Sequence, residues 1–416
     1  MKIYKFGGAS VKDPQAIKNL LELLTSKDHG KLLIVISAMG KTTNASEKIV
    51  ENYLVSQRVP EELQELENSH LEIVKELFPN SSHQVYKKIA GLMEEIRNFM
   101  EHNKSNRYDY VYDQIVSYGE LLSTIIISEY LNSHNYKNTW LDARTLIKTD
   151  STYRDAQVNW EETQDAIEKK INRNQINITQ GFIASDADNF TTTLGREGSD
   201  YTAGIFAYCL NAESLSIWKD VPGVLNADPR EFTQTSLLNQ ISYEEAIELA
   251  FYGASVIHPK TLQPLQKKEI PLYVKSFIQP DGKGTSVSRG NRIEPEIPCF
   301  IVKKNQVLIS LSSLDFSFMV EEIISEIFRL FHLYQMKVDL IQNSAISFSV
   351  CVDNRFNQLE KLIQHLKARF RVKYNTGVSL YTIRHFNDAA IASLEKDKEI
   401  LLKQITRDTV QLVTRS

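Results

Sequence analysis

The chain has 416 residues, enough for two or three domains, with 24% charged residues and a net charge of −4. No basic block stands out, which argues against nucleic acid as a partner, and the longest apolar runs, such as LLIVISAM (32–39), are far too short to span a membrane. The N-terminus, MKIYKFGG, runs straight into a strand pattern without the apolar core of a signal peptide, so a cytoplasmic protein is expected.

Up to about residue 295 short apolar runs alternate with helical patterns. Strands are predicted at 3–6, 32–36, 139–141, 176–179, 215–218 and 272–274. Helices are predicted at 14–25, over much of 45–132, and at 163–172, 201–210, 243–252 and 261–268. Continuous apolar strands separated by helices indicate an α/β fold, a mainly parallel sheet sandwiched by helices, with ligands at the carboxyl ends of the strands. The first strand ends in Lys5-Phe6-Gly7-Gly8-Ala9-Ser10, where two glycines let backbone N–H groups approach a phosphate and Lys5 adds a point charge. After the second strand, Ser37-Ala38-Met39-Gly40-Lys41-Thr42-Thr43-Asn44 imitates a P-loop. That motif needs glycine five places before Gly40, where Val35 stands, so the P-loop reading is rejected. Glu120 opens the apolar helix GELLSTIIISEYL, where the dipole favours a carboxylate.

The segment TTTLGREGSD (191–200) places Gly195, Arg196, Gly198, Ser199 and Asp200 directly before a helix. Unpaired N–H groups at that terminus and the planar fork of Arg196 make an anion site. Asp220-Val221-Pro222-Gly223 and Asp228-Pro229-Arg230 bracket the loop after strand 215–218. It reads either as a plain turn or as a nucleotide loop with Arg230 on phosphates and Asp220 near sugar or metal. His258 precedes Pro259, which holds it extended, and reads as structural. Cys209, Cys299 and Cys351 are scattered, with neither metal-ligand spacing nor a disulfide framework.

The Gly-, Pro- and charge-rich stretch 281–298 reads as an exit from this domain (1–295). From Cys299 to residue 377 the order is β-α-β-β-α-β, a ferredoxin-like α+β unit. A second round (378–416) begins with VSLYTIR, a short helix, EILLKQI and TVQLVT, and stops before a second helix and last strand. It is expected to be truncated, with open edges covered by the first module or another subunit.

Taken together, KFGGAS (5–10), SAMGKTTN (37–44), SYGELLS (117–123), TTTLGREGSD (191–200), DVPGVLNADPR (220–230) and GASVIHP (253–259) resemble, in order and spacing, the aspartokinases of the amino acid kinase family. The resemblance spans essentially the whole chain, since aspartokinases also end in ACT domains. It implies ATP-dependent phosphorylation of the side-chain carboxylate of L-aspartate, with ATP and Mg²⁺ as cofactors and no protein residue assigned to the metal. Carried over by motif, Lys5 and Gly8 serve the transferring phosphoryl group with Gly7, and Asp200 orients Lys5. Thr43, Glu120, Phe182, Arg196 and Ser199 form the aspartate pocket, with Glu120 on the ammonium and Arg196 on a carboxylate. Lys5, Gly7, Gly8, Lys219, Asp220, Leu225, Arg230 and Ser255 line the nucleotide site. The ACT region implies a homodimer and an amino-acid effector, lysine or threonine. Because SSLDFSFMVEE (312–322) lacks the glycine usual before the first ACT helix, feedback is expected to be weakened or altered.

Four positions depart from the family pattern. Ala9 stands where Thr is usual, Glu197 where Gly is usual, Lys219 where Thr is usual and Ser255 where Lys is usual. The last two suggest one lysine lost from the nucleotide site and another gained nearby. Glu197 puts an anion beside an anion site, so its side chain is expected to point away or to pair with a lysine. Other readings are a kinase of the same fold acting on glutamate, N-acetylglutamate or UMP, and a sensor without turnover.

Overall fold

The computed structural model describes all residues except 27–28, 57, 255–256, 291, 316 and 416, and it divides into two compact units. The first comprises Met1–Val224, Leu237–Ile247 and Val256–Glu294. Its eight-stranded sheet runs Asn138–Leu141, Ile176–Gln180, Leu32–Ile36, Lys2–Phe6, Ser214–Lys219, Leu272–Ser276, Thr285–Ser288 and Gln240–Ser242. The first six strands are mutually parallel, while Thr285–Ser288 pairs antiparallel to Leu272–Ser276 and parallel to Gln240–Ser242. The central strand Leu32–Ile36 is buried at every residue, the signature of a sheet covered on both faces.

Local chemistry explains the helix limits. Helix Pro14–Thr25 starts where Asp13 caps Ala16 N and proline takes the first position, and its buried face is Ala16, Ile17, Leu20, Leu23 and Leu24. The long region predicted as helix resolves into Thr42–Ser56, Glu62–Leu77, Gln84–His102, Tyr108–Val116 and Tyr118–Ser133. Tyr118–Ser133 is buried nearly all round, so it forms part of the core rather than a surface helix. A hairpin of Ile183–Ser185 and Thr191–Thr193, absent from the sequence expectation, leads into helix Gly198–Leu210.

The second unit comprises Leu225–Ser236, Glu248–Ser255 and Pro295–Ser416. Its antiparallel sheet runs Lys337–Asn343, Ser347–Asp353, Cys299–Ser313, Phe370–Arg384, Thr409–Arg415 and Glu399–Ile405. Two long strands, Cys299–Ser313 and Phe370–Arg384, serve both ferredoxin-like halves, with a register shift between Lys303 and Val307. Helices Glu321–Leu333 and Leu359–Lys367 cover the first half through Ile327, Phe331, Leu362 and Leu366. In the second half, residues 299–303 pair with 380–384 and occupy the place of the last strand that the linear reading found missing. The edge expected to need covering by the first module or another subunit is covered by residues 299–303 of the first module, so its backbone groups are paired. All three cysteines are buried.

Candidate active site

Strand alternation sets the site. In the parallel pairing of Lys2–Phe6 with Ser214–Lys219, Lys5 lies opposite Ile217, so Lys5 and Lys219, two residues further on, project to the same face. Asp200, in the first turn of helix Gly198–Leu210, meets both. Its Oδ1 is 2.7 Å from Lys5 Nζ and its Oδ2 is 3.3 Å from Lys219 Nζ. Burial works to raise the Asp200 carboxyl, but the two lysines outweigh it and hold it below the usual carboxylate range. For Lys219 burial acts downward, and the carboxylates around it, Asp200 foremost, outweigh it and keep the ammonium charged.

Glycine makes room around Lys5. A β-carbon on Gly7 would lie 3.5 Å from Lys5 Nζ, and one on Gly8 would come within 2.7 Å of the Ala38 carbonyl. Gly40 N donates to Gly8 O at 3.1 Å, tying the two loops together. Two glycine backbones and an ammonium thus lie close together, with no side chain between them.

On the other side Glu120 stands in the first turn of helix Tyr118–Ser133, 3% exposed. Its Oε1 accepts from Ala38 N at 3.4 Å, while Oε2 is buried and has no partner among the described residues. Burial pushes this carboxyl up to about 8, against the pull of the Ala38 amide and the Lys5 charge. Gly119 lets the helix close on the 37–44 loop, for a β-carbon there would meet Thr42 Cγ2 at 2.8 Å. Thr43 lies in the first turn of Thr42–Ser56, half-buried. Ser199 packs so tightly on Gly181 that a β-carbon there would be 2.6 Å from its Oγ. Phe182, at a positive φ of 70°, donates its backbone N–H to Thr202 Oγ1 (2.9 Å) and lies against Gly198. Arg196 is exposed and makes no ion pair among the described residues.

The remaining expected residues are placed differently. Asp220 is exposed at the end of strand Ser214–Lys219, its charge felt by Lys219. Leu225 and Arg230 lie in the second unit, where Arg230 is clasped by Asp228. Ser255 lies outside the described residues. Two residues that the sequence reading missed hold the strand Thr191–Thr193, which leads to Gly195 and Arg196. Asp113 accepts from Thr193 N (2.8 Å), Thr193 Oγ1 (2.7 Å) and Arg154 N (3.0 Å), and Gln114 brackets Thr191. Burial pushes Asp113 up to about 6 even with these donors. The signal was the polar pair Asp-Gln inside the apolar helix VYDQIV.

A profile of the amino acid kinase family matches residues 1–276. Lysine-sensitive aspartokinase 3 of Escherichia coli is 31% identical over 393 residues, spanning 92% of this chain and 86% of that protein. The chain belongs to the aspartokinases of the amino acid kinase family. Chloroplastic aspartokinase 2 of Arabidopsis thaliana is 30% identical over 430 residues, spanning 96% and 76% of the two chains. Among aspartokinase structures, that of E. coli aspartokinase III with aspartate and ADP covers 100% of this chain and 96% of its own, at 27% identity and a TM-score of 0.81. No helix among the described residues is long and apolar enough to cross a membrane.

Proposed function

We infer that the protein is an aspartate kinase, transferring the ATP γ-phosphoryl group to the side-chain carboxylate of L-aspartate to give 4-phospho-L-aspartate. The observation that carries this reading is Glu120, a buried carboxylate with one oxygen unclaimed, lying in the field of a lysine that is locked to Asp200 over a glycine loop. An unsatisfied carboxylate oxygen is costly to keep unless a cation fills it, and the ammonium of an amino acid is such a cation.

The chemistry needs no general base. A carboxylate with a pKa of about 4 is ionised by roughly a thousandfold at pH 7. The barrier is the approach of an anion to a polyanion, so positioning and charge stabilisation do the work. Lys5 and the Gly7 and Gly8 amides hold the transferring group. Lys219 supplies a second cation across Asp200, whose role is to fix both lysines and not to carry a proton. Arg196, exposed and without an ion pair among the described residues, meets a substrate carboxylate, with Thr43, Phe182 and Ser199 completing the pocket. Asp220, Leu225, Arg230 and Ser255 are assigned to the nucleotide. The described residues contain no group of three or more His, Cys, Asp or Glu able to hold a metal, and both Asp200 oxygens face lysines. Mg²⁺ is assigned to the phosphates of ATP, where it would offset their charge.

The experiment is incubation with ATP, Mg²⁺ and aspartate, trapping acyl phosphate with hydroxylamine. Hydroxamate with aspartate and not with glutamate is expected, and its absence with aspartate would refute the reading. The second unit is proposed to bind lysine or threonine, with weakened feedback, in a cytoplasmic homodimer. Tight, cooperative inhibition by lysine would overturn the weakened form, and a monomer by sedimentation would overturn the dimer.

A further inference from the structure

Glu197 is a carboxylate that this mechanism leaves idle, and its geometry is unusual. The residue has φ +52° and ψ +29°, the left-handed region that a β-carbon disfavours, and it stands immediately before helix Gly198–Leu210. Its carbonyl accepts from Asp200 N at 3.0 Å and Tyr201 N at 3.1 Å, so it starts the helix that carries Asp200. Oε2 is buried and has no hydrogen-bond partner among the described residues. The charges around it come from three elements. Lys5 lies on Lys2–Phe6, Lys219 on Ser214–Lys219 with Asp220 just beyond, and Arg196 and Asp200 flank it on its own segment. Burial raises the carboxyl, Asp200 adds to that, and Lys219, Arg196 and Lys5 act against it; the net direction is upward.

An ionised carboxylate in this place would repel the polyphosphate that Lys5 and Lys219 attract, and would leave a buried oxygen unsatisfied. One proton removes both penalties. We propose that Glu197 contacts the bound nucleotide as a neutral carboxyl, its Oε2 hydroxyl donating to a phosphate oxygen, so that binding to the ionised enzyme takes up one proton from solvent. No bond to phosphorus forms or breaks in this step: –COO⁻ and H⁺ give –COOH, which then donates a hydrogen bond. The inference rests on the kinase reading above and names a phosphate contact that the reading lacks.

Glutamine mimics the neutral carboxyl, which supplies the test. ATP binding is measured by calorimetry without aspartate from about pH 7 to 9, where the phosphates stay ionised. Two buffers of different ionisation enthalpy count the protons. All three proteins compared carry Glu120→Gln, since Glu120 titrates at about 8, inside the pH range of the measurement. With Glu197 intact, affinity is expected to fall by up to about tenfold per pH unit above its titration, with uptake approaching one proton. Glu197→Gln should bind with little pH dependence, no uptake and tighter affinity at the alkaline end. Glu197→Gly, which relieves the left-handed backbone, should be equally flat but weaker than Gln for want of a donor. Equal slopes and equal proton counts with and without Glu197 would overturn this inference alone. Failure of the wild-type protein to bind ATP would overturn the kinase reading and the inference with it.

Discussion

In the proposed site the two ends are built on opposite plans. At the phosphoryl end, charge is saturated before any ligand arrives, because Asp200 already faces Lys5 and Lys219. At the amino-acid end, charge is left open. Glu120 keeps one oxygen unpaired, and Arg196 stands exposed without an ion pair among the described residues. The difference follows from what each end must do. Groups that stabilise the transferring phosphoryl must not reorganise during the reaction, so they are fixed in advance. Groups that select aspartate gain most when the ligand itself satisfies them, because a wrong ligand then leaves a buried polar group unpaired. Variants at the first end should lower kcat, and variants at the second should raise KM.

The sharpest break is Asp200→Asn. It releases two lysines at once, and kcat is expected to fall by about 10²–10³ with a smaller change in either KM. Leaving buried lysines without their partner should also cost stability, about 3–5 kcal/mol by urea unfolding. A loss confined to KM would mean that the triad binds substrate and does not serve the chemical step.

Glu120→Gln tests the open end. Loss of a charge-assisted bond of about 1.5–3 kcal/mol should raise the KM for aspartate by roughly 10–150-fold, with kcat less affected. The wild-type protein carries a second signature. Only the ionised carboxylate takes an ammonium, so kcat/KM for aspartate should climb with pH toward about 8, and the Gln variant should lose that climb. Stability should move the other way. The folded state keeps this proton from the ordinary 4.5 up to about 8, binding more protons than the unfolded chain, so stability falls as pH rises through that window. Tm measured at both ends of the window should fall less in Glu120→Gln.

Asp113→Asn should give a smaller effect of a third kind. The carboxylate touches no ligand in this reading; it pins Thr193, two residues before Gly195 and the Arg196 loop. Turning one of its oxygens into a donor that faces the Thr193 N–H should cost about 1–3 kcal/mol of stability. A several-fold rise in aspartate KM should accompany it, with ATP KM unchanged. An equal rise in both would show a general loosening of the fold.

What was legible in the sequence was local. Asp13 and Pro14 mark one helix start, and the unbroken LLIVI marks a buried strand. What escaped depended on neighbours distant in the chain. That Lys219 shares Asp200 with Lys5 follows from the pairing of two strands more than two hundred residues apart. The three-residue strands Ile183–Ser185 and Thr191–Thr193 carry too few apolar residues for a period to show. Residues 299–303 could not be assigned to the second ferredoxin-like half from a linear reading, because the other half lies between them and their partners. Asp113 looked like an ordinary helical residue until the strand it holds was in view.

Arg230→Ala asks whether the saturated plan extends to the nucleotide loop. Arg230 is 80% exposed, and its guanidinium is held by Asp228 through Nε and Nη2. An ion pair this open to water contributes little to folding, so Tm should not change measurably. If the pair exists to preset the guanidinium for ATP, the ATP KM should rise several-fold while the aspartate KM stays constant. Asp228→Ala should then give a smaller rise, because the cation survives and loses only its orientation. Equal effects of the two variants would point to the turn they build together, and no effect of either would remove Arg230 from the nucleotide site.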